Sequence, residues 1–326
     1  MYKASAIVLR EHGSPEKLKL DTINVNNPNQ GEIFISQTAI GVHFHDIYVR
    51  TGLYKTLKLP GIPGVEAVGK IEQIGKGEKE FKEGDRIAYI TSDYGAYASH
   101  RVLNRNLAIK IPDNISDELI ATNFSRALTV KMLLEEVTNI NSNKIILVTA
   151  ASGGVGRLLC QWASFLNITV LGLVSNKEKV ELARSYGCKH AFLYDDKNFL
   201  DHINDITNGK GVDVVYDSVG LDTFDLSMES LKFCGHLVNF GQSSGPVKPL
   251  TMSSLSKKSL TITRPIIFHY IRNTQKYRTM SNSVFEYMKN YSFKIPKAKC
   301  YNLEKASKAH EVLESRTGGG SLYLEP

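Results

Sequence analysis

The residues best equipped for chemistry lie in the stretch KIILVTAASGGVG, Lys144 to Gly156. Ile145, Ile146, Leu147 and Val148 form an unbroken, partly β-branched apolar run, the composition of a central strand buried on both faces. Ala150, Ala151, Ser152, Gly153, Gly154, Val155 and Gly156 follow. In the next stretch, RLLCQWASFL, the positions Leu158, Leu159, Trp162 and Leu166 continue from Val155 at helical spacing. A strand, a glycine turn and a helix in that order can hold a pyrophosphate. Missing Cβ atoms let backbone approach it, and the helix N-terminus offers free N–H groups and a positive dipole. The pattern is A-x-x-G-x-x-G, not G-x-G-x-x-G, so taken alone it also fits a purely structural turn. Gly153 and Gly156 are expected to leave no room for a side chain.

A second position bears on which nucleotide. The next β-run, Thr169 to Val174, leads into Ser175, 19 residues past Gly156. An NAD site places Asp or Glu there to accept from the ribose 2′-OH. Neither is present. Ser175 is small and polar, and Lys179, one helical turn on, can face a 2′-phosphate, so NADPH is the expected cofactor. A plain surface lysine is the alternative. A third stretch, Gly41-Val42-His43-Phe44-His45-Asp46-Ile47-Tyr48 followed by Tyr54, gathers two imidazoles, a carboxylate and two phenols.

Two sets of elements must position these groups. Residues 1–123 read as short strands punctuated by turns: Ala4 to Leu9, Glu32 to Ile40, Val65 to Ile74 and Ile87 to Ile90, with one helix at Phe44 to Arg50. From Ser125 the texture changes, first to a helical pattern through Leu128, Met132, Leu133 and Val137. Strands and helices then alternate: strands at Thr169 to Val174, Ala191 to Leu193, Val212 to Tyr216, His236 to Phe240 and Leu260 to Thr263; helices at Lys177 to Tyr186, Phe199 to Thr207 and Thr223 to Leu231. Such alternation specifies a doubly wound parallel sheet, the Rossmann arrangement, in an α/β chain. The tail holds helices near Tyr277 to Tyr291 and Glu304 to Leu313 and a strand at Leu322 to Leu324.

At 326 residues the chain is too long for one core. No apolar run nears the roughly 20 residues that span a membrane, and the start, MYKASAIVLREHG, lacks a signal-peptide core, so a cytoplasmic location is expected. The cysteines, Cys160, Cys188, Cys234 and Cys300, form no C-x-x-C pair, which points to a reducing compartment, with Cys160 a small buried hydrophobe. A net charge of +7 would suit nucleic acid, but the lysines are spread out and no dense basic run appears, which favours a solvated surface.

Asn143-Lys144, Leu147, Ala151-Ser152, Gly153-Gly154-x-Gly156, Gln161 and Ser164 fall at the spacings of the quinone oxidoreductase/zeta-crystallin signature, so the chain resembles that group of the medium-chain dehydrogenase/reductase superfamily. PGVEAVGKIEQIG followed by FKEGDRIAY resembles the superfamily's GroES-like core, and AHEVLESR its closing helix. The resemblance implies a β-rich GroES-like catalytic domain over 1–123, a Rossmann domain over 124–265, and a return over 266–326 that completes the first domain. It implies cofactor contacts from Phe44, Tyr48, Thr129, Gly153, Gly154, Val155, Ser175, Lys179, Tyr194, Ser218, Phe240, Gly241, Gln242, Ser243, Arg264 and Arg316. In the family the segment matching Gly41 to Tyr48 lines the nicotinamide cleft. Tyr48 and Tyr54 then become the hydroxyl donors, with His43 and Asp46 beside them. His43 stands where the family has asparagine.

Many members of the superfamily are zinc enzymes with Cys in a G-x-C segment and a Gly-His-Glu beyond it. Here those segments read Gly41-Val42-His43 and Gly64-Val65-Glu66, no cysteine stands near Phe124, and a zinc site is not expected. The implied activity is NADPH-dependent, zinc-independent reduction of a quinone or similar small electrophile in the interdomain cleft. An NADPH-dependent enone or alkenal reductase is the rival enzyme. An NADPH-binding protein with an RNA-binding or structural role is the rival without catalysis. The β-branched run Ser259 to Thr263 would form an outer sheet edge, through which a homodimer is expected.

Overall fold

The structure, a computed structural model, describes residues 1–77, 79–290, 293–315 and 321–326. Arg316, expected to contact the cofactor, lies outside the described residues. The chain divides into two compact units, one of 1–125, 271–291 and 295–326, the other of 126–270 and 292–294.

The first unit opens with an antiparallel hairpin of β1 (Tyr2–Leu9) and β2 (Leu18–Val25). It continues through β3 (Glu32–Val42), α1 (Phe44–Thr51), β4 (Glu66–Ile74), β5 (Arg86–Ile90), β6 (His100–Asn104) and β7 (Ile109–Lys110). α1 starts from the extended residue His43 and stops at Gly52, whose φ of 82° only glycine adopts without strain. α2 (Asp117–Lys131) spans the chain position where the first unit ends, starting earlier than the pattern from Ser125 suggests, and a π-helical turn, Met132–Val137, extends it.

The second unit carries the parallel sheet: β8 (Ile145–Thr149), α3 (Gly154–Phe165), β9 (Thr169–Val174), α4 (Lys177–Ser185), β10 (His190–Leu193), α5 (Phe199–Thr207), β11 (Val212–Asp217), α6 (Phe224–Ser230), β12 (Leu231–Asn239), α7 (Ser253–Ser256), β13 (Thr261–Thr263) and α8 (Ile267–Tyr270). Its order is β10-β9-β8-β11-β12-β13 and every pairing is parallel. This is the doubly wound order in which the strand sequence reverses between β8 and β11, where a ligand crevice forms at the carboxyl ends. Leu147, Leu171, Leu173, Val215 and Leu237 from these strands pack with Phe199, Ile203 and Phe224 in one core. Cys160 and Cys188 lie in this unit with their sulfurs 3.4 Å apart, and burial pushes the Cys160 thiol well up, as suits an inert hydrophobe.

After α9 (Thr274–Asn290) the tail returns to the first unit as β14 (Lys299–Asn302), α10 (Ala306–Glu314) and β15 (Leu322–Glu325). The larger sheet of that unit runs β14-β15-β3-β4-β5-β7, with β6 also pairing β3. Leu303, Ala306, Ala309, Leu322 and Leu324 from the tail share a core with Ile7, Ile33, Ile40 and Ile87. β3, the strand that leads into α1, is therefore braced on one side by β15, whose Leu322 faces Val42 in register.

Candidate functional site

In the second unit, α3 begins at the glycine turn. Ala150 takes φ 48°, and the N–H of Gly153 donates to its carbonyl at 2.7 Å, folding the chain tightly before the helix. A Cβ on Gly156 would lie 2.2 Å from the Ala150 carbonyl oxygen, a collision with backbone that cannot be relieved locally. Gly153 is different from expectation. A Cβ there would lie 3.0 Å from the same oxygen in ordinary extended backbone, so a small side chain needs only a slight shift. At Gly154 a Cβ would come 3.0 Å from the guanidinium of Arg126, a buried side chain on α2. A guanidinium beside the N-terminus of a twelve-residue helix brings together two sources of positive potential that could hold an anion. Val155 lies on the first turn of that helix, and Thr129, half-buried, stands one turn beyond Arg126.

At the end of β9, Asn176 caps α4 by accepting from the Lys179 N–H at 3.0 Å. The Lys179 side chain folds back over the same turn, and its Nζ donates to Ser175 Oγ at 3.0 Å. The residues that follow β9 are Ser175 and Asn176 and not an acid, so a phosphate there would meet an ammonium and a hydroxyl. Tyr194 OH accepts from the N–H of Ala150 at 3.0 Å and so braces the glycine turn.

The ends of β8, β11 and β12 are tied by Asp217. Its wholly buried carboxylate accepts from Thr149 Oγ at 2.8 Å, Thr223 Oγ at 2.7 Å and Asn239 Nδ2 at 2.9 Å. The Ser218 N–H donates to Thr149 Oγ at 2.9 Å, and the Arg264 guanidinium holds the Gly241 carbonyl at 2.8 Å and both Asn239 oxygens. Phe240, Gly241, Gln242 and Ser243 are thereby gathered beside Ser218, half-buried at the carboxyl ends of the strands. A nucleotide fits this second unit: glycine turn, cationic terminus and acid-free strand end agree.

The first unit holds a separate polar cluster. His43 Nε2 donates to Glu66 Oε2 at 2.5 Å, and Glu66 also accepts from Ser125 Oγ at 2.6 Å and from the Ser125 N–H at 2.7 Å. Glu66 is fully buried and both of its oxygens are engaged. A side chain on Gly41 would collide with the Ala121 carbonyl, so glycine is needed for β3 to pass this cluster. Asp46 lies one helical turn away and accepts from the His43 N–H at 2.8 Å and from Tyr97 OH at 3.2 Å. Burial lifts its carboxyl to about 6 against the lowering effect of His43, and its Oδ1 has no partner among the described residues. From Tyr97 the chain runs on to His310 Nε2 at 2.9 Å, and His310 Nδ1 faces Arg50 Nη1 at 3.3 Å. Because Arg50 can only donate, Nδ1 accepts and Nε2 carries the proton toward Tyr97. Burial, then the Arg50 charge, lowers His310 to about 3. Asp46 thus ties the start of α1 to Tyr97 and, through it, to His310 of α10.

α1 and the loop after it present aromatic rings. Phe44 and Tyr48 have centroids 6.2 Å apart, Tyr48 and Tyr54 meet edge to face at 5.0 Å, and His45 meets Tyr54 at 5.6 Å and stacks on Tyr94 at 5.9 Å. Burial, then His43, lowers His45 to about 4, so the ring is neutral at pH 7. The sequence brings Tyr48, Tyr54 and Phe44 together as expected from their spacing. It does not announce Arg126, Ser125, Tyr94 or Tyr97, whose partners lie far off in the chain; for Tyr94 the turn residues Ser92, Asp93 and Gly95 are the only local sign.

As a zinc site the first unit does not fit. His43 and Glu66 are bonded to one another, Val65, directly before Glu66, carries no donor, and among the described residues no three His, Cys, Asp or Glu side chains gather for a metal.

Residues 29–113 match the family described as alcohol dehydrogenase GroES-like domain, and residues 154–286 the family described as zinc-binding dehydrogenase. Quinone oxidoreductase 1 of Escherichia coli (strain K12) is 38% identical, covering 99% of this chain and 100% of the relative. The crystal structure of the E. coli quinone oxidoreductase complexed with NADPH superposes with a TM-score of 0.95 at 37% identity, covering 99% of this chain and 100% of that one. A 2-haloacrylate reductase from a Burkholderia species is 34% identical, with 98% of both chains covered.

Proposed function

We propose, from the premise that the chain belongs to the quinone oxidoreductases of the medium-chain dehydrogenase/reductase superfamily, that it reduces quinones with NADPH and does so through the residues described above. The observation that carries the cofactor assignment is the pairing of Lys179 with Ser175 at an acid-free end of β9. When bound, NADPH supplies a hydride. The N–H groups at Gly154 and Val155, with Arg126, would hold the pyrophosphate, and Lys179 and Ser175 the 2′-phosphate. Ser218 and the Phe240 to Ser243 segment, fixed by Asp217 and Arg264, would shape the crevice at the strand ends.

In the first unit, Glu66 fixes the His43 ring and Asp46 fixes the helix start, so that Phe44, Tyr48 and Tyr54 are held as an apolar aromatic face with phenol groups. Such a face suits a flat, uncharged quinone ring. Reduction of a quinone demands no strong Lewis acid, in keeping with the unsuitable zinc donor set. The same face would also accept an activated C=C bond, and the likeness to a 2-haloacrylate reductase makes that the second reading. Among the described residues no helix is long and apolar enough to cross a membrane. We place the protein in the cytoplasm as a homodimer paired through β13.

Following NADPH absorbance against a panel of quinones and conjugated enones tests the assignment. Quinone-dependent oxidation of NADPH, faster than of NADH and faster than with enones, is expected. Preference for enones with quinones inert would replace the first reading by the second.

A further inference from the structure

Reduction of a quinone to a hydroquinone takes up one proton for each hydride. The first unit contains a hydrogen-bonded chain suited to that task and unused by the contacts above. Thr56 is exposed, and its Oγ1 is hydrogen-bonded to the phenol oxygen of Tyr94. Tyr94 is buried, and its phenol oxygen lies 3.2 Å from His45 Nε2. His45 in turn packs edge to face on Tyr54. A hydroxyl, a phenol and an imidazole therefore run from the surface to the aromatic face.

The position of Tyr94 is costly to hold. Its φ is 59°, in the left-handed region that a residue with a Cβ avoids. Arg101 Nη1 donates to the Tyr94 carbonyl at 2.9 Å, and the Gly95 N–H donates to Ile62 at 2.8 Å, which pins the turn. Non-glycine residues kept in this conformation by their surroundings gather at functional sites. Here the conformation sets one phenol between two polar partners that lie 11 residues apart in the chain.

We propose that Thr56, Tyr94 and His45 form a proton relay that supplies the reduced acceptor. This rests on the quinone-reductase reading. The hydride delivers two electrons and leaves a hydroquinone anion. His45 gives that oxygen its Nδ1 proton while Nε2 receives the Tyr94 proton. Tyr94 is resupplied by Thr56, and Thr56 by water, so that one solvent proton enters per hydride. The hydroxyls then turn and the imidazole returns to its first tautomer. A relay imidazole must be uncharged at rest, and burial, with the neighbouring His43 second, leaves the His45 ring so where it lies between Tyr94 and Tyr54.

The test uses the full chain and two variants, Tyr94→Phe and Thr56→Val, the second at an exposed site that leaves the packing alone. Nitrogen-15 spectra of the histidines, recorded without cofactor, report the His45 tautomer. A neutral ring biased to one tautomer is expected in wild type, with the bias lost in Tyr94→Phe. With NADPH and a quinone, both variants should lose about tenfold or more in kcat, with the KM for NADPH unchanged, and added imidazole should restore Tyr94→Phe more than wild type. Wild-type kcat in Tyr94→Phe, a loss that imidazole does not relieve, or a His45 tautomer indifferent to the phenol would each overturn the relay while the quinone-reductase reading stands. If wild type binds NADPH but reduces no quinone, that reading falls and takes the relay's use with it.

Discussion

Lys179 Nζ lies 3.0 Å from Ser175 Oγ, at the place where an acidic side chain would select NAD. The contact shows that the lysine side chain lies back along the first turn of α4 toward the strand end. Lys179→Ala is expected to weaken NADPH binding by about 1–3 kcal/mol, the range of a charge-assisted hydrogen bond, and to leave NADH nearly unchanged. Titration of both cofactors by fluorescence checks this, and equal losses for the two would remove Lys179 from the phosphate site.

The two turn glycines should respond differently. Gly156→Val drives a branched side chain into the Ala150 carbonyl and separates α3 from β8, so nucleotide binding should be abolished. Gly153→Ala asks for a shift of a few tenths of an ångström, and binding should fall modestly. Calorimetric titration with NADPH separates the outcomes; a Gly156→Val protein that folds and binds normally would show that this turn is not the cradle.

Glu66 satisfies three donors from two distant parts of the chain. Glu66→Ala leaves the His43 ring and the Ser125 N–H facing a cavity, and a loss of about 3 kcal/mol is expected from unpairing buried partners. His43→Asn keeps a donor for Glu66 and should lose only about 1 kcal/mol. Urea denaturation of the three proteins measures the difference, and similar stability for Glu66→Ala and wild type would contradict the burial argument.

Acid should reveal the buried titrating groups with a definite sign. His45 and His310 stay neutral in the fold down to about 4 and about 3, whereas in the unfolded chain each takes a proton below about 6.5. The unfolded state binds more protons there, so both reduce stability as pH falls. Asp46 acts oppositely: raised to about 6, it is protonated in the fold before the unfolded chain follows, and its contribution is lost as pH rises through 6. Between pH 6 and 4 two destabilising protons face one stabilising proton. The three groups together should then change stability by about 1.4 kcal/mol per pH unit. Asp46→Asn should steepen the acid loss and His310→Gln should flatten it. Urea midpoints measured from pH 4 to 7 compare the slopes, and identical slopes in all three proteins would refute the assignment.

What could be read from the sequence follows from how local each cause is. β8 and β9 are apolar on both faces, and α5 has Phe199, Ile203 and Thr207 at helical spacing, so strand and helix declare themselves within a few residues. β2 was not legible, because LKLDTINV is a half-exposed edge of a hairpin with charged residues interleaved, and β14 is almost wholly exposed. The glycine turn and the missing acid after β9 were legible, since each is a local pattern. The His43–Glu66–Ser125 cluster was not: its members are separated by 23 and 59 residues, and only β3, β4 and α2 folded together bring them within bonding distance. The Arg126 guanidinium beside Gly154 is hidden for the same reason.

The sheet of the second unit ends at β13, which is paired to β12 through His236–Thr261, Leu237–Ile262 and Val238–Thr263 and to no other strand among the described residues. An outer strand edge without a partner strand is where a second copy of the same strand could pair across a twofold axis. Three large apolar side chains in the same stretch of chain stand in water: Phe233 at 72% exposure, Met252 at 80% and Ile266 at 48%. Ile262 packs against the core, so Thr261, exposed at the start of the strand, is the safer probe. A lysine is a common guard of natural sheet edges, because two of them meeting across a twofold axis repel. Thr261→Lys is therefore expected to shift the protein from dimer toward monomer with NADPH affinity preserved. Analytical ultracentrifugation at micromolar concentration checks both halves of the expectation; a monomeric wild type, or a dimer indifferent to Thr261→Lys, would move the interface away from this edge.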